Sequence, residues 1–158
     1  MGNMTEKDEV LPEEEAKYHP RLWMLDEFDG EINGEKKFHK SLVQYRDSVG
    51  LKEEWSFVRA PRGPTDPGFT EIIEKYDDLN LIAMEKEGQI HIYKETEKGS
   101  RFIRGLKEGL RILKKDQVQS RETNLQLVAK VNKERLGSDI ELDDDIQEMK
   151  ELPLGHDV

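Results

Sequence analysis

The sequence predicts a mainly α-helical domain that carries one small β-hairpin and a C-terminal helical extension. Three observations lead there. Apolar residues recur at helical spacing through most of residues 20–113. One stretch, LIAMEKEGQIHIYKE, breaks that rhythm, and its second arm alternates strictly after a glycine, the mark of a hairpin. Glycine and proline punctuate the joins, at Gly30, Gly50, Gly63-Pro64, Pro67, Gly88 and Gly137. With 158 residues, 34% hydrophobic and 38% charged, the chain can build one modest core with appendages, not two cores.

The elements follow in order. Residues 1–17 are polar and acid-rich and read as a flexible acidic N-terminus. Pro20 suits the first turn of a helix whose face is Leu22, Leu25 and Phe28, widened by Trp23 and Met24. Asn33 is a fair N-cap for a second helix over 34–49, with Phe38, Leu42, Tyr45 and Val49 on one face and Gly50 as its stop. EEWSFVRAP alternates weakly around Trp55, Phe57 and Arg59 and reads as extended. Pro64 and Pro67 exclude a regular strand. Thr65 or Asp66 then caps a third helix over 67–79, which turns Phe69, Ile72, Ile73, Tyr76 and Leu79 inward. In the hairpin, Lys86-Glu87-Gly88 makes the turn and Gly88 supplies the positive φ. Ile90 and Ile92 point to one side of the second arm, His91 and Tyr93 to the other. Thr96-Glu97-Lys98-Gly99 leads into a helix with Phe102, Leu106, Leu110 and Leu113 aligned. Gln117, Ser120 and Asn124 interrupt that pattern before Leu125, Val128 and Leu136 resume it, so the extension is one imperfect helix or two broken near Ser120. A short helix with Ile146, Met149 and Leu152 precedes Pro153.

Three helices, a hairpin and another helix form the order of a winged helix-turn-helix, with the hairpin as the wing. The expected organisation is an N-terminal segment over 1–17, the winged helix-turn-helix domain over 18–114, a helical extension over 115–137 and an acidic tail over 138–158. Ile32-Asn33-Gly34, Lys40, Phe57, Gly63-Pro64, Leu81-Ile82 and Thr96-Glu97-Lys98-Gly99 fall in the order and spacing of a known pattern. On these residues the chain resembles the archaeal and bacterial winged-helix group typified by YwgA-like proteins. It is similar, more distantly, to the Panacea (SocA-like) antitoxin domain. The resemblance covers about residues 20–110, and the chain departs from the pattern where Ser41 follows Lys40 and where Glu35 replaces a frequent arginine. It implies a winged-helix fold. It also implies a role among DNA-binding regulators or toxin-neutralising proteins.

The formal net charge of −10, from 35 acidic and 25 basic residues, argues against nucleic acid when taken whole. The charge is unevenly spread, however. Both ends are acidic, with Asp143, Asp144 and Asp145 in one run, while residues 101–121 are basic. Lys36, Lys37 and Lys40 on the second helix, Arg59 and Arg62 beside the turn, and Lys86 and Lys94 on the wing are placed to hold phosphates. Thr65, Thr70 and Gln89 are placed near base edges, with Lys75 the one base on the third helix beside Glu71, Glu74, Asp77 and Asp78. The competing reading is a solvated surface. Two classes of function therefore stand: a dimeric DNA-binding transcriptional regulator, or a protein-interaction module on the same fold. Phe102, Leu106, Leu110, Leu113, Leu125 and Val128 are the candidate dimerisation residues, because terminal helices often pair such domains on two half-sites. The acidic tail reads as a solvated helix, as a segment docked on the basic helix, or as a phosphate mimic that limits access to DNA.

Other classes find little support. None of the four histidines pairs at metal-ligand spacing, cysteine is absent, and the phosphate-loop and GxSxG motifs are missing, so neither enzyme, metal nor cofactor is expected. No apolar run reaches the roughly 18 residues of a membrane span, and MGNMTEKDEVLPEEE has no apolar stretch to act as a secretory leader, so a cytoplasmic protein without a membrane partner is expected.

Overall fold

The computed structural model of the chain describes residues 13–158. Eight helices and five short strands occur among them. Helix α1 (Glu13–Tyr18) and helix α2 (Pro20–Glu27) lead into strand β1 (Glu31–Asn33) and the long helix α3 (Glu35–Val49). Strands β2 (Val58–Ala60) and β3 (Gly63–Thr65) precede helix α4 (Phe69–Asp78). Strands β4 (Ile82–Glu87) and β5 (Ile90–Glu95) form the hairpin. Helices α5 (Glu97–Leu113), α6 (Lys115–Asn132), α7 (Gly137–Ile140) and α8 (Asp144–Met149) complete the chain. The fold is thus mixed α/β, dominated by helix, with a small antiparallel sheet.

That sheet has three strands in the order β1-β5-β4, so the second arm of the hairpin is central and Ile32 of β1 lies opposite Tyr93. The hairpin turn is Gly88-Gln89, one step beyond the expected position, because Glu87 still pairs with Ile90. Gly88 has φ +63°, as a first central turn residue with no Cβ can adopt. Strands β2 and β3 make a second, two-stranded sheet with Pro64 opposite Arg59. Pro64 was expected to preclude strand structure; a three-residue edge pairing tolerates it because few ladder donors are needed there.

The core gathers Trp23, Met24, Leu25, Ile32, Phe38, Leu42, Phe57, Phe69, Ile103 and Leu125, with Ile140 and Ile146 from the C-terminal segment. Aromatic edges meet faces within it: the Phe38 and Phe69 centroids are 4.9 Å apart and those of Phe38 and Tyr93 are 5.4 Å apart.

Several local expectations change. Residues 1–12 of the expected flexible N-terminus lie outside the described residues, and from Glu13 the chain is helical, with Glu15 buried. Asn33 does not cap α3: it ends β1, and Gly34 takes the cap position without a side-chain bond. Thr65 does not cap α4 either, since Gly68 precedes that helix; Asp66 instead accepts from the Gly68 N–H at 3.2 Å. The C-terminal helices break at Lys114, not near Ser120, and α6 folds back along α5 so that Arg111 and Glu122 pair.

The acidic tail docks on its own chain. Ile140, Ile146 and Met149 are buried, and Lys40 Nζ donates to the Gly137 carbonyl at 3.0 Å and to Glu141 at 3.2 Å. Gln44 reaches Asp143 at 3.0 Å. The last residues run antiparallel to β2: Arg59 N–H donates to His156 O and Val158 N–H donates to Phe57 O, each at 2.9 Å. A buried Arg46 side chain, lying over the Phe57 ring, donates to the carbonyls of Trp55 and Val158.

Candidate functional site

Three features surround α4: a buried polar network behind it, an acidic face on it, and a basic groove beside it. The network begins at Arg21 on α2, which is fully enclosed. Its guanidinium donates to Asp66 through Nε at 2.6 Å and to Glu15 on α1, and it lies 4.6 Å from the Trp55 ring centroid. Trp55 Nε1 points at Asp66 Oδ1, 3.4 Å away. Tyr76 of α4 donates its hydroxyl to Glu15, which leaves His19 Nδ1–H to donate to the Tyr76 oxygen at 2.8 Å. Burial drives the Glu15 carboxyl upward, against the opposing pull of Arg21 and Tyr76, and burial beside Glu15 drives the Tyr76 phenol upward. These side chains partner one another around Asp66, and the network positions the turn that launches α4.

A second chain of bonds runs outward from the same turn. The Asp66 N–H donates to His39 Nδ1 at 3.0 Å, so Nε2 carries the imidazole proton and donates to Glu35 at 3.2 Å. The Tyr93 hydroxyl points at the other Glu35 oxygen from 3.4 Å. The hydrogen bond from His39 holds the Glu35 carboxyl below the usual carboxylate range. Glu35 thus stays ionised at the first turn of α3, where the helix dipole favours a negative charge.

The solvent face of α4 is acidic. Glu71, Glu74 and Asp78 are exposed there, and Lys75 is the only exposed base on the helix. Thr70 is also exposed and lines a cleft between α4 and the hairpin, floored by Ile73 and Tyr93. On the hairpin, Glu85 and Glu87 stand beside Lys86, while Lys94 is held by Glu85 at 3.1 Å.

Apart from Lys86 and Lys94 on the hairpin, the cations expected to hold phosphates divide into two groups. Lys37, Lys40 and Arg59 serve the fold. Lys37 Nζ donates to the Lys133 carbonyl at 2.9 Å, Lys40 is closed over by Gly137 and Glu141, and Arg59 donates to the Lys150 carbonyl at 2.8 Å. The C-terminal segment covers all three, through contacts with residues beyond 114. Lys36 and Arg62 are exposed and make no hydrogen bond or ion pair among the described residues. They share a groove of about 780 Å³ with Gln89, Ile90 and His91 at the hairpin tip and Leu136 before α7. Thr65 sits in a smaller adjoining recess of about 280 Å³, between Arg62 and Lys36, walled by Ala60, Pro61 and Pro64.

The candidate dimerisation residues also divide. Leu125 and Val128 are buried in the chain's own core, and Leu106 and Leu110 pack partly against it. Leu125 and Val128 are therefore unavailable to a partner, because α6 turns that face onto α3 and α2. Phe102 and Leu113 are exposed, as are Ile112, Leu127 and Val131, which the sequence reading passed over.

Sequence reasoning missed Glu15, Arg21 and His39, and read Asp66 only as a local cap, because their network partners lie 6 to 61 residues away, beyond any local spacing rule. It missed Ile90 and Leu136 as groove residues because an exposed aliphatic carries no signal until its neighbours are known. Among the described residues no group of three or more His, Cys, Asp or Glu could hold a metal ion, and no helix is long and apolar enough to cross a membrane. No protein-family model, no curated protein and no solved structure matches this chain.

Proposed function

We propose that residues 20–95 form a winged helix-turn-helix and that the chain uses it as a protein-interaction module, of the toxin-neutralising or complex-assembly kind, in place of reading the major groove. The topology supports the fold: helix, strand, two further helices, then a hairpin whose second arm pairs with the first strand. One observation carries the function. The face of α4 that would enter a major groove presents Glu71, Glu74 and Asp78 against Lys75, and carboxylates facing phosphates are repelled. The same carboxylates suit a partner with a basic surface.

The test is a photo-crosslinking side chain at position 70 in the intact protein expressed in cells. One protein captured in stoichiometric amount, and lost in a Glu71→Lys/Glu74→Lys double variant, is the expected result. Capture that is unchanged in the double variant, or nucleic acid in place of protein, removes the reading.

A second reading, a dimeric DNA-binding regulator, draws on a different observation: Lys36, Arg62 and Gln89 converge at the hairpin tip with no side-chain partner among the described residues. Phe102 and Leu113, with Ile112, supply exposed apolar surface for a dimer. It requires saturable binding to duplex DNA that weakens steeply with salt and is lost in Arg62→Glu.

A further inference from the structure

We infer that the groove between the start of α3, the hairpin tip and the residue before α7 is a docking site for an acidic peptide segment that carries an aliphatic side chain. The groove contains no residue of α4, so this goes beyond the function proposed above and is tested apart from it.

Charge comes first. In this chain most of the arginines and lysines are spent on carboxylates or carbonyls of the fold. Among the described residues Lys36 and Arg62 have no such partner, and they face one concavity together with the polar ends of Gln89 and His91, which bond to no described residue. On a protein of net charge −10, a local cluster of unpaired cations is where an acidic ligand gains attraction instead of repulsion. Arg62 can take a carboxylate in a bidentate manner, and Lys36 can follow a neighbouring one as a point charge.

Shape and polarity choose the ligand class. The groove also exposes Ile90 and Leu136, at 53% and 69% of their surface, and the recess between Lys36 and Arg62 is walled by Ala60, Pro61 and Pro64. An aliphatic side chain seated in that recess would bring flanking carboxylates to the two cations. A nucleic acid finds less: no Phe, Tyr or Trp lines the groove for base stacking. The Glu35 and Glu141 carboxylates in its wall are already engaged, by His39 and by Lys40 and Lys150. A volume of about 780 Å³ suits a few peptide residues, in the range of small-ligand clefts. The site is also pre-formed. Lys37 and Lys40 tether the Lys133 and Gly137 carbonyls, fixing the α7 wall against α3, so little ordering is required on binding.

The experiment is fluorescence anisotropy with the full chain and a fluorescein-labelled twelve-residue peptide of Asp, Glu and Leu. The comparison probes are the same peptide with Leu replaced by Ser and a random duplex DNA of similar charge. Saturable binding is expected for the Leu peptide. It should weaken tenfold or more in a Lys36→Glu/Arg62→Glu variant and several-fold in Ile90→Ser/Leu136→Ser. It should persist in Lys75→Glu and Lys115→Glu, which alter charge elsewhere. All four groove positions are exposed or line the surface, and circular dichroism checks that each variant is folded. Absence of binding at low salt overturns the inference, as does binding indifferent to the groove variants. Equal affinity for the Ser peptide removes the aliphatic anchor and with it the stated ligand class. Groove-dependent binding of duplex in place of peptide assigns the site to nucleic acid.

Discussion

Asp66 does the most work of any single residue. It accepts from Arg21 and Trp55, accepts from the Gly68 N–H, and passes its own N–H to His39. Removing it would leave the Arg21 guanidinium buried with only Glu15 opposite. Breaking a buried pair costs about 3–5 kcal/mol, because the stranded charge has no water to return to. Asp66→Ala should therefore lower the unfolding free energy, read from urea titration, by about 3–5 kcal/mol, and a loss below about 1 kcal/mol would mean that Arg21 is solvated or re-paired. Glu95 is the residue to watch with pH. Burial, reinforced by the neighbouring Asp26 carboxylate, pushes its carboxyl up to about 8. The folded value lies above the unfolded one, so the stabilising contribution is complete below the ordinary carboxylate range and is lost as pH rises through about 8. Glu95→Gln, which mimics the protonated form, should raise the thermal midpoint relative to the parent at about pH 9 and leave it nearly unchanged at about pH 4. Equal effects at both pH values would show that the carboxyl titrates normally.

At the scale of elements, the C-terminal helices are part of the domain and not an appendage to it. Helix α6 lays Leu125, Val128 and Ala129 against the core, and buried Asn132 donates to Ser41 at 3.1 Å and to Gln44 at 2.8 Å on α3. The opposite side of α6 leaves Leu127 and Val131 exposed. Two substitutions two residues apart should thus behave differently. Leu125→Asp places a charge among apolar neighbours and should abolish the cooperative unfolding transition, whereas Leu127→Asp should shift stability by less than about 1 kcal/mol. Circular dichroism melts with size-exclusion chromatography separate the two. If Leu125→Asp yields a folded monomer from a dimer, α6 pairs copies through that residue and the assignment of its buried face is mistaken. Periodicity in the sequence shows that α6 has an apolar stripe, but it cannot say whether the surface covering it belongs to the same chain.

For the molecule as a whole, charge opposes the DNA-binding reading and organisation permits it. The net charge of −10 and the carboxylates on α4 both predict no saturable binding to random duplex at moderate salt. The groove cations would allow at most a weak, strongly salt-dependent association. Much of the fold was legible beforehand, for reasons that are local. The Pro20 start, the Gly50 stop, the alternation in the hairpin and the Gly88 turn each act within a few residues. The Thr96 hydroxyl that accepts from the Gly99 N–H at 3.0 Å marks the α5 start that Thr96-Glu97-Lys98-Gly99 announced. The site was legible only in part. Lys36, Arg62 and Gln89 converge, whereas the C-terminal segment covers Lys37, Lys40 and Arg59. By itself the sequence determined the kind and order of most elements, because helical spacing, turn chemistry and capping are short-range. Which cations remain free, which apolar face of α6 is inward, and where the acidic tail lies were decided by tertiary structure alone. Each depends on contacts between residues about 90 to 110 positions apart, such as Lys40 with Glu141 and Arg46 with Val158, and burial is a property of what lies on the other side.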